Sequence, residues 1–219
     1  MDNYFAFILI PLVLGIACQF YVNHMLHKYQ KYPIGNGLTG AECARQMLQY
    51  YGITNVTINR GGEGQDFFDP RTNSVTLSPE AYDGRSITAT ATASHEVGHA
   101  CQYASGYTPM KIRGAIVPAV NAASNIWIFL LLIGIFLQMT GLVYVAIVMY
   151  AVVVVFQLVT LPVELNASKR AMAYMGEIGL SPQDRRGAFS VLKACAYTYL
   201  VAALTSILQL LWLLTQTRE

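Results

Sequence analysis

Thr88-Ala89-Thr90-Ala91-Thr92-Ala93-Ser94-His95-Glu96-Val97-Gly98-His99 can be written as a strand or as a helix, and the rest of the chain follows from which it is. The alternation of small residues from Thr88 to Ser94 has the period of a strand. The last five residues form H-E-x-x-H, and that pattern makes chemical sense only on a helix. There, positions i and i+4 share a face, so His95 and His99 can grip one metal ion. Glu96 then stands on the flank of that face, within reach of a metal-bound water without ligating the metal. The motif predicts a helix from Arg85 to about Ser105, ended by Gly106 and followed by Pro109. The alternative is a helix that carries two histidines and a glutamate without using them.

Composition sets the surroundings of this helix. Of 219 residues, 54% are hydrophobic and only 12% charged, about half the charge of a soluble domain. Mean hydropathy is +0.41. The chain reads as an integral membrane protein. A net charge of +2 with no run of Lys or Arg gives no support for nucleic-acid binding. Cys18, Cys43, Cys101 and Cys195 are scattered without a C-x-x-C, which fits free thiols rather than a disulfide framework.

Four apolar segments are long enough to cross a bilayer, at about 4–22, 115–137, 142–161 and 194–215. The first lacks the basic start of a secretory signal and reads as an uncleaved anchor, although Gly15-Ile16-Ala17-Cys18 has a distant likeness to a lipoprotein cleavage box. His24 and His27 follow in a basic juxtamembrane patch and read as interface residues. Between the first two spans lie Thr39-Gly40-Ala41-Glu42, a capping box that opens a helix ended by Gly52, then short strands at Val56–Ile58 and Ser74–Ser78. A flexible Gly61–Gly64 loop and an Asp69–Asn73 turn separate the strands. Ser78-Pro79-Glu80 starts a short helix. Pro162 to about Ile178 is expected to be a helix separate from the third span, and a further charged helix starts at Ser181-Pro182. The expected fold class is mainly α: a multi-pass membrane protein with about four transmembrane helices and a small α+β catalytic portion, about 23–114 plus 162–193, within a single domain over 1–219.

Lys and Arg set the orientation. Both long connections carry them, whereas the turn between the second and third spans carries none. The positive-inside rule puts both connections, and with them H-E-x-x-H, in the cytoplasm.

A hydrolytic zinc site needs a third protein ligand and one position left for water. Glu164 is the first candidate. It lies 65 residues after His99, just past Pro162, where the third span returns to the side the second left. A carboxylate at a bilayer boundary is costly unless paired or ligating. The competing reading is an ordinary helix-start glutamate favoured by the helix dipole, with Glu80 and Glu177 as other candidate ligands.

Glu164-Leu165-Asn166-Ala167-Ser168, following an upstream H-E-x-x-H, resembles the E-x-x-A-D of the HtpX-type membrane zinc peptidases. Over nearly its whole length the chain is more similar to the YugP-like putative neutral zinc metallopeptidases of bacterial membranes. The likeness is carried by Asp69-Pro70-Arg71, Leu77-Ser78-Pro79-Glu80, His95-Glu96-Val97-Gly98-His99, Arg113-Gly114-Ala115-Ile116-Val117-Pro118 and Leu161-Pro162-Val163-Glu164-Leu165-Asn166-Ala167-Ser168. The resemblance implies that His95, His99 and Glu164 hold one Zn2+, that Glu96 is the general base, and that the membrane is a bacterial plasma membrane. One departure stands out. Ser168 occupies the place of an aspartate that orients a zinc histidine in the HtpX type, which leaves Ser168 or Asn166 to serve instead.

The expected activity is therefore zinc-dependent endopeptidase chemistry at the cytoplasmic membrane surface. The substrates would be proteins or peptides, misfolded or membrane proteins among them by analogy. Arg170, Tyr174 and Arg113 are candidates for stabilising the oxyanion. Ser74–Ser78 is a candidate edge for an extended substrate, and Asn121, Ser124 and Asn125 form a polar stripe on the second span. Two other classes stay open. A site-2-type intramembrane protease would have its motif in an apolar span and a later Asp-Gly, which this chain lacks. A membrane scaffold with structural metal would close the metal shell. Oligomeric state has no sequence signal.

Overall fold

The computed structural model describes the backbone of residues 2–217 and the side chains from residue 9 onward. Among the described residues, seven helices and three strands follow one another: α1 (Asp2–Gln30), α2 (Gly40–Tyr50), β1 (Thr57–Arg60), β2 (Phe67–Asp69), β3 (Ser74–Leu77), α3 (Pro79–Asp83), α4 (Ile87–Ala104), α5 (Thr108–Phe136), α6 (Thr140–Glu177) and α7 (Pro182–Gln216). Among the described residues, Leu9–Gln30, Thr108–Phe136, Thr140–Glu177 and Pro182–Gln216 are long and apolar enough to cross a membrane. The protein is thus mostly helical and multi-pass, with one small sheet. The expected first span begins at Tyr4, and its side chains up to residue 8 lie outside the described ones. Cys18, Cys43 and Cys101 are free thiols.

The chain divides into two compact units, one of Met1–Ala17, Thr108–Pro162 and Thr198–Glu219, the other of Cys18–Tyr107 and Val163–Tyr197. In the first, α5 and α6 form a hairpin around Gln138, whose backbone is left-handed at φ 54°. Gly134 makes the close approach possible: a Cβ there would lie 3.0 Å from the Val143 nitrogen. Leu131, Ala146, Ile147, Tyr150, Val154 and Leu213 form the core of this unit, with the Trp127 ring tilted on Tyr150.

The second unit is built on local signals that the sequence displays. Thr39 caps α2 as a capping box: its hydroxyl accepts the Glu42 N–H, and the Glu42 carboxylate accepts the Thr39 N–H at 2.7 Å. Ser78 caps α3, with Pro79 at the first position. Ser86 caps α4, accepting the Ala89 N–H at 3.1 Å. Gly52 and Gly106 turn the chain out of α2 and α4 at φ of 68° and 65°.

The sheet runs β1-β3-β2, with β1 parallel and β2 antiparallel to β3. This corrects two expectations. Phe67–Asp69 is a strand, too short to show alternation in the sequence, and the Asp69–Asn73 turn joins it to β3. The stretch Ser74–Ser78 is no edge: β3 is the central strand, paired on both sides, so the free edges belong to β1 and β2.

A third correction concerns Pro162. The expected break is absent, and α6 runs unbroken for 38 residues through it. Proline removes one N–H and so leaves the Leu158 carbonyl without its i+4 donor, a loss that membrane helices tolerate when neighbouring groups compensate. Likewise α7 joins the charged segment from Pro182 to the fourth span without interruption.

Helix α4 is buried almost all round. Ala93, Val97, Ala100 and Cys101 pack with Cys43, Ala44, Met47 and Leu48 of α2, Val75 and Leu77 of β3, and Tyr174. Ile87 and Ala91 pack on another side with Ala171, Met175, Leu180, Ala188 and Val191. A helix enclosed this way has no polar face, so its sequence carries no 3.6-residue stripe. The alternation of Thr and Ala is what remains when every position must be small.

Candidate metal centre

His95 and His99 lie one turn apart on α4, with ring centroids 4.8 Å apart and planes at 83°. Both Nε2 atoms face the same carboxylate oxygen: Glu164 Oε2 is 3.2 Å from His95 Nε2 and 3.3 Å from His99 Nε2. Glu164 is only 2% exposed. Among the described residues these three make up the group of His, Cys, Asp or Glu that can hold a metal ion, with donor atoms all within 4.8 Å of one another.

Two of the three donor–donor spacings fit a tetrahedral ion, and the third lies within 4.8 Å. With metal–ligand bonds of about 2.0–2.1 Å, neighbouring ligand atoms stand about 3.3–3.4 Å apart, close to the two distances here. The donor set, two imidazoles and a carboxylate, is that of a hydrolytic zinc site with a fourth position left for water. The remaining ring nitrogens are already engaged. His95 Nδ1 meets the Ser168 hydroxyl at 3.1 Å, and His99 Nδ1 meets Gln102 Oε1 at 3.1 Å.

What lets α4 and α6 approach closely enough is Gly98, the second x of H-E-x-x-H. A Cβ at Gly98 would lie 2.5 Å from the Ala167 carbonyl oxygen and 3.0 Å from the Ala167 carbonyl carbon. The helices meet backbone to backbone at this point, next to His99 and about one turn from His95 and Glu164.

Electrostatics match the geometry. Burial pushes the Glu96 carboxyl up from the ordinary carboxylate range, while the two histidines pull it back and Glu164 and Asp66 add to the rise. A carboxylate held in this way is suited to taking up and returning a proton. Burial by itself would lower the His99 imidazole; the hydrogen bond and charge of Glu164 and the charge of Glu96 outweigh it, so it is raised.

The other candidates are placed as follows. Glu80 and Glu177 are exposed and outside the cluster, as are His24 and His27. Asn166 accepts from Gln102 and from Arg170. The Arg170 guanidinium is committed to Asn166 Oδ1 at 2.9 Å, Ser105 Oγ at 3.1 Å and the Cys101 carbonyl at 3.5 Å. Tyr174 is sunk in the core beside the Tyr50 ring. Neither Arg170 nor Tyr174 is therefore an open donor for an oxyanion. Arg113 belongs to the other unit. Asn121, Ser124 and Asn125 are exposed on α5. Gln102 was not singled out from the sequence. The available signal was an amide three residues past His99, on the same helical face, in a segment with little other polarity.

An H-E-x-x-H helix crossed by a carboxylate-bearing helix, in a chain with four candidate spans, defines a membrane metallopeptidase architecture. Comparison with known proteins agrees: the chain belongs to the putative neutral zinc metallopeptidases, whose family model matches residues 4–218. It is 40% identical over 200 residues to the putative membrane protease YugP of Bacillus subtilis (strain 168), covering 90% of this chain and 89% of that protein. No solved structure matches the chain.

Proposed function

We propose that the whole chain acts as one zinc-dependent membrane endopeptidase, with a single ion held by His95, His99 and Glu164 and with Glu96 as general base. The convergence of two Nε2 atoms on one Glu164 oxygen, at tetrahedral-edge spacing, is the observation that carries this reading. Zinc in such a site supplies a water whose pKa falls to about 7 and polarises the scissile carbonyl.

The protein's own groups do the rest. Glu96 takes the proton from the attacking water and passes it to the amide nitrogen as the C–N bond breaks, ending as it began. Ser168 and Gln102 hold the imidazoles in place. An extended peptide can pair with a free sheet edge. We assign that role to β2, which packs against α4 through the Phe68 and Tyr103 rings, 5.8 Å apart, and exposes Phe67. The substrates are then proteins or peptides in unfolded segments, misfolded and membrane proteins among them. The Lys and Arg distribution supports a site on the cytoplasmic side of the plasma membrane.

The test uses purified full-length protein with bound zinc quantified. Glu96→Gln is expected to keep zinc and to lose cleavage of an unfolded protein by about 10²–10⁴-fold. Equal cleavage by both proteins would remove Glu96 as the base. Zinc in both, with cleavage by neither over a broad substrate panel, would make the protein a metal-holding scaffold.

A further inference from the structure

We propose that Gln102 is a positioning residue that dictates which nitrogen His99 offers to the metal and ties that choice to the helix bearing Glu164. This rests on reading His95, His99 and Glu164 as a zinc site. Gln102 is 0% exposed. A buried amide has a donor end and an acceptor end, and here neighbours without a choice fix which is which. The Val163 main-chain carbonyl can only accept, so the atom 2.7 Å from it is the amide nitrogen. The second contact of that nitrogen agrees. Arg170 Nε can only donate, so the Asn166 atom facing it is the oxygen, and Gln102 Nε2 donates to that same oxygen at 3.1 Å.

The amide oxygen is thereby turned to His99 Nδ1. An acceptor in that place requires Nδ1 to carry the hydrogen. The neutral ring then has its lone pair on Nε2, the atom beside Glu164. His95 receives no such instruction, because the Ser168 hydroxyl can donate or accept. The same amide holds the carbonyl of the residue before Glu164. One side chain therefore sets the tautomer of one ligand and braces the backbone that carries another. No other residue type of this size does both: Glu keeps an acceptor for His99 but offers Val163 no donor, and Met only fills the volume.

The experiment measures zinc affinity of the full-length protein by competition with a chromophoric chelator, with the thermal stability of the zinc-free protein recorded alongside. Gln102→Met is expected to weaken zinc about 10–100-fold, and Gln102→Glu to lose less because His99 keeps its acceptor. Wild-type affinity in Gln102→Met overturns the proposal. So do equal losses in both variants that track a loss of stability in the zinc-free proteins, which is mere packing. Where the variants do not fold, the native zinc-loaded protein decides through ¹⁵N spectra of its four histidines. A His99 Nδ1–H shielded from exchange is expected; a missing or freely exchanging one overturns the proposal. If wild type binds no zinc, or Glu164→Gln binds it equally well, the metal reading itself fails, a result distinct from failure of the Gln102 role alone.

Discussion

At Gly98 there is no room for even one methyl group. Its Cβ would meet main-chain atoms of Ala167, which cannot swing aside as a flexible side chain would. Gly98→Ala is expected to force α4 away from α6 and to cost about 1–3 kcal/mol. For a chain of this size that lowers Tm by about 2–4 °C per kcal/mol. Zinc affinity should fall with it, because the same displacement lengthens the 3.2 and 3.3 Å spacings to Glu164. A thermal melt and a chelator titration on one sample read both; an unchanged Tm would mean that the contact is looser than the geometry shows. At this scale much of the candidate site was legible. His95, Glu96 and His99 announce themselves by spacing, and Glu164 by the cost of a carboxylate at a membrane boundary. Gln102 did not, since its role depends on Val163 and Asn166, which are 61 and 64 residues away in sequence.

Elements were legible where a local device defines them and illegible where burial erases the pattern. Thr39 and Glu42 spell out the start of α2, and the box is present as written. Thr39→Ala removes the acceptor for the Glu42 N–H and the hydroxyl bond to its carboxylate. The expected cost is about 1 kcal/mol, seen as a lower Tm with zinc binding retained, because α2 meets α4 through core packing and the Cys43–Ser94 contact and touches none of the proposed metal ligands. A loss of zinc without loss of stability would contradict that division. By contrast, α4 reads as a strand until its motif is taken into account, since a helix packed on all sides keeps no amphipathic stripe. That β3 is central, and not the candidate edge, is hidden from the sequence for a related reason: two-sided pairing is a property of its neighbours β1 and β2, and β2 is only three residues long. The proline rule failed at Pro162, where an apolar helix continues through a residue that usually ends one.

At the scale of the molecule, four apolar spans were legible from hydropathy alone, and among the described residues they lie in helices of 22 to 38 residues; where α6 and α7 begin and end was not legible, because charged and apolar segments share one continuous helix. The orientation argued from Lys and Arg predicts that single cysteines at positions 71 and 185, placed in a background free of the four native thiols, stay unlabelled by an impermeant reagent on intact cells and react after lysis. Labelling of either from outside would invert the topology.

The length of α6 has a practical consequence. Its 38 residues measure about 57 Å, nearly twice the roughly 30 Å of a bilayer's hydrocarbon layer, and the rod bears Glu164 beyond its apolar portion. Pro162, where the first unit passes into the second, lies only two positions before Glu164 on that continuous helix, so a cut that frees the second unit from the apolar spans falls within one turn of the proposed third ligand. Inhibitor screening and crystallisation therefore call for micelles, nanodiscs or mesophases from the outset, since trimming the apolar spans cuts next to the candidate site.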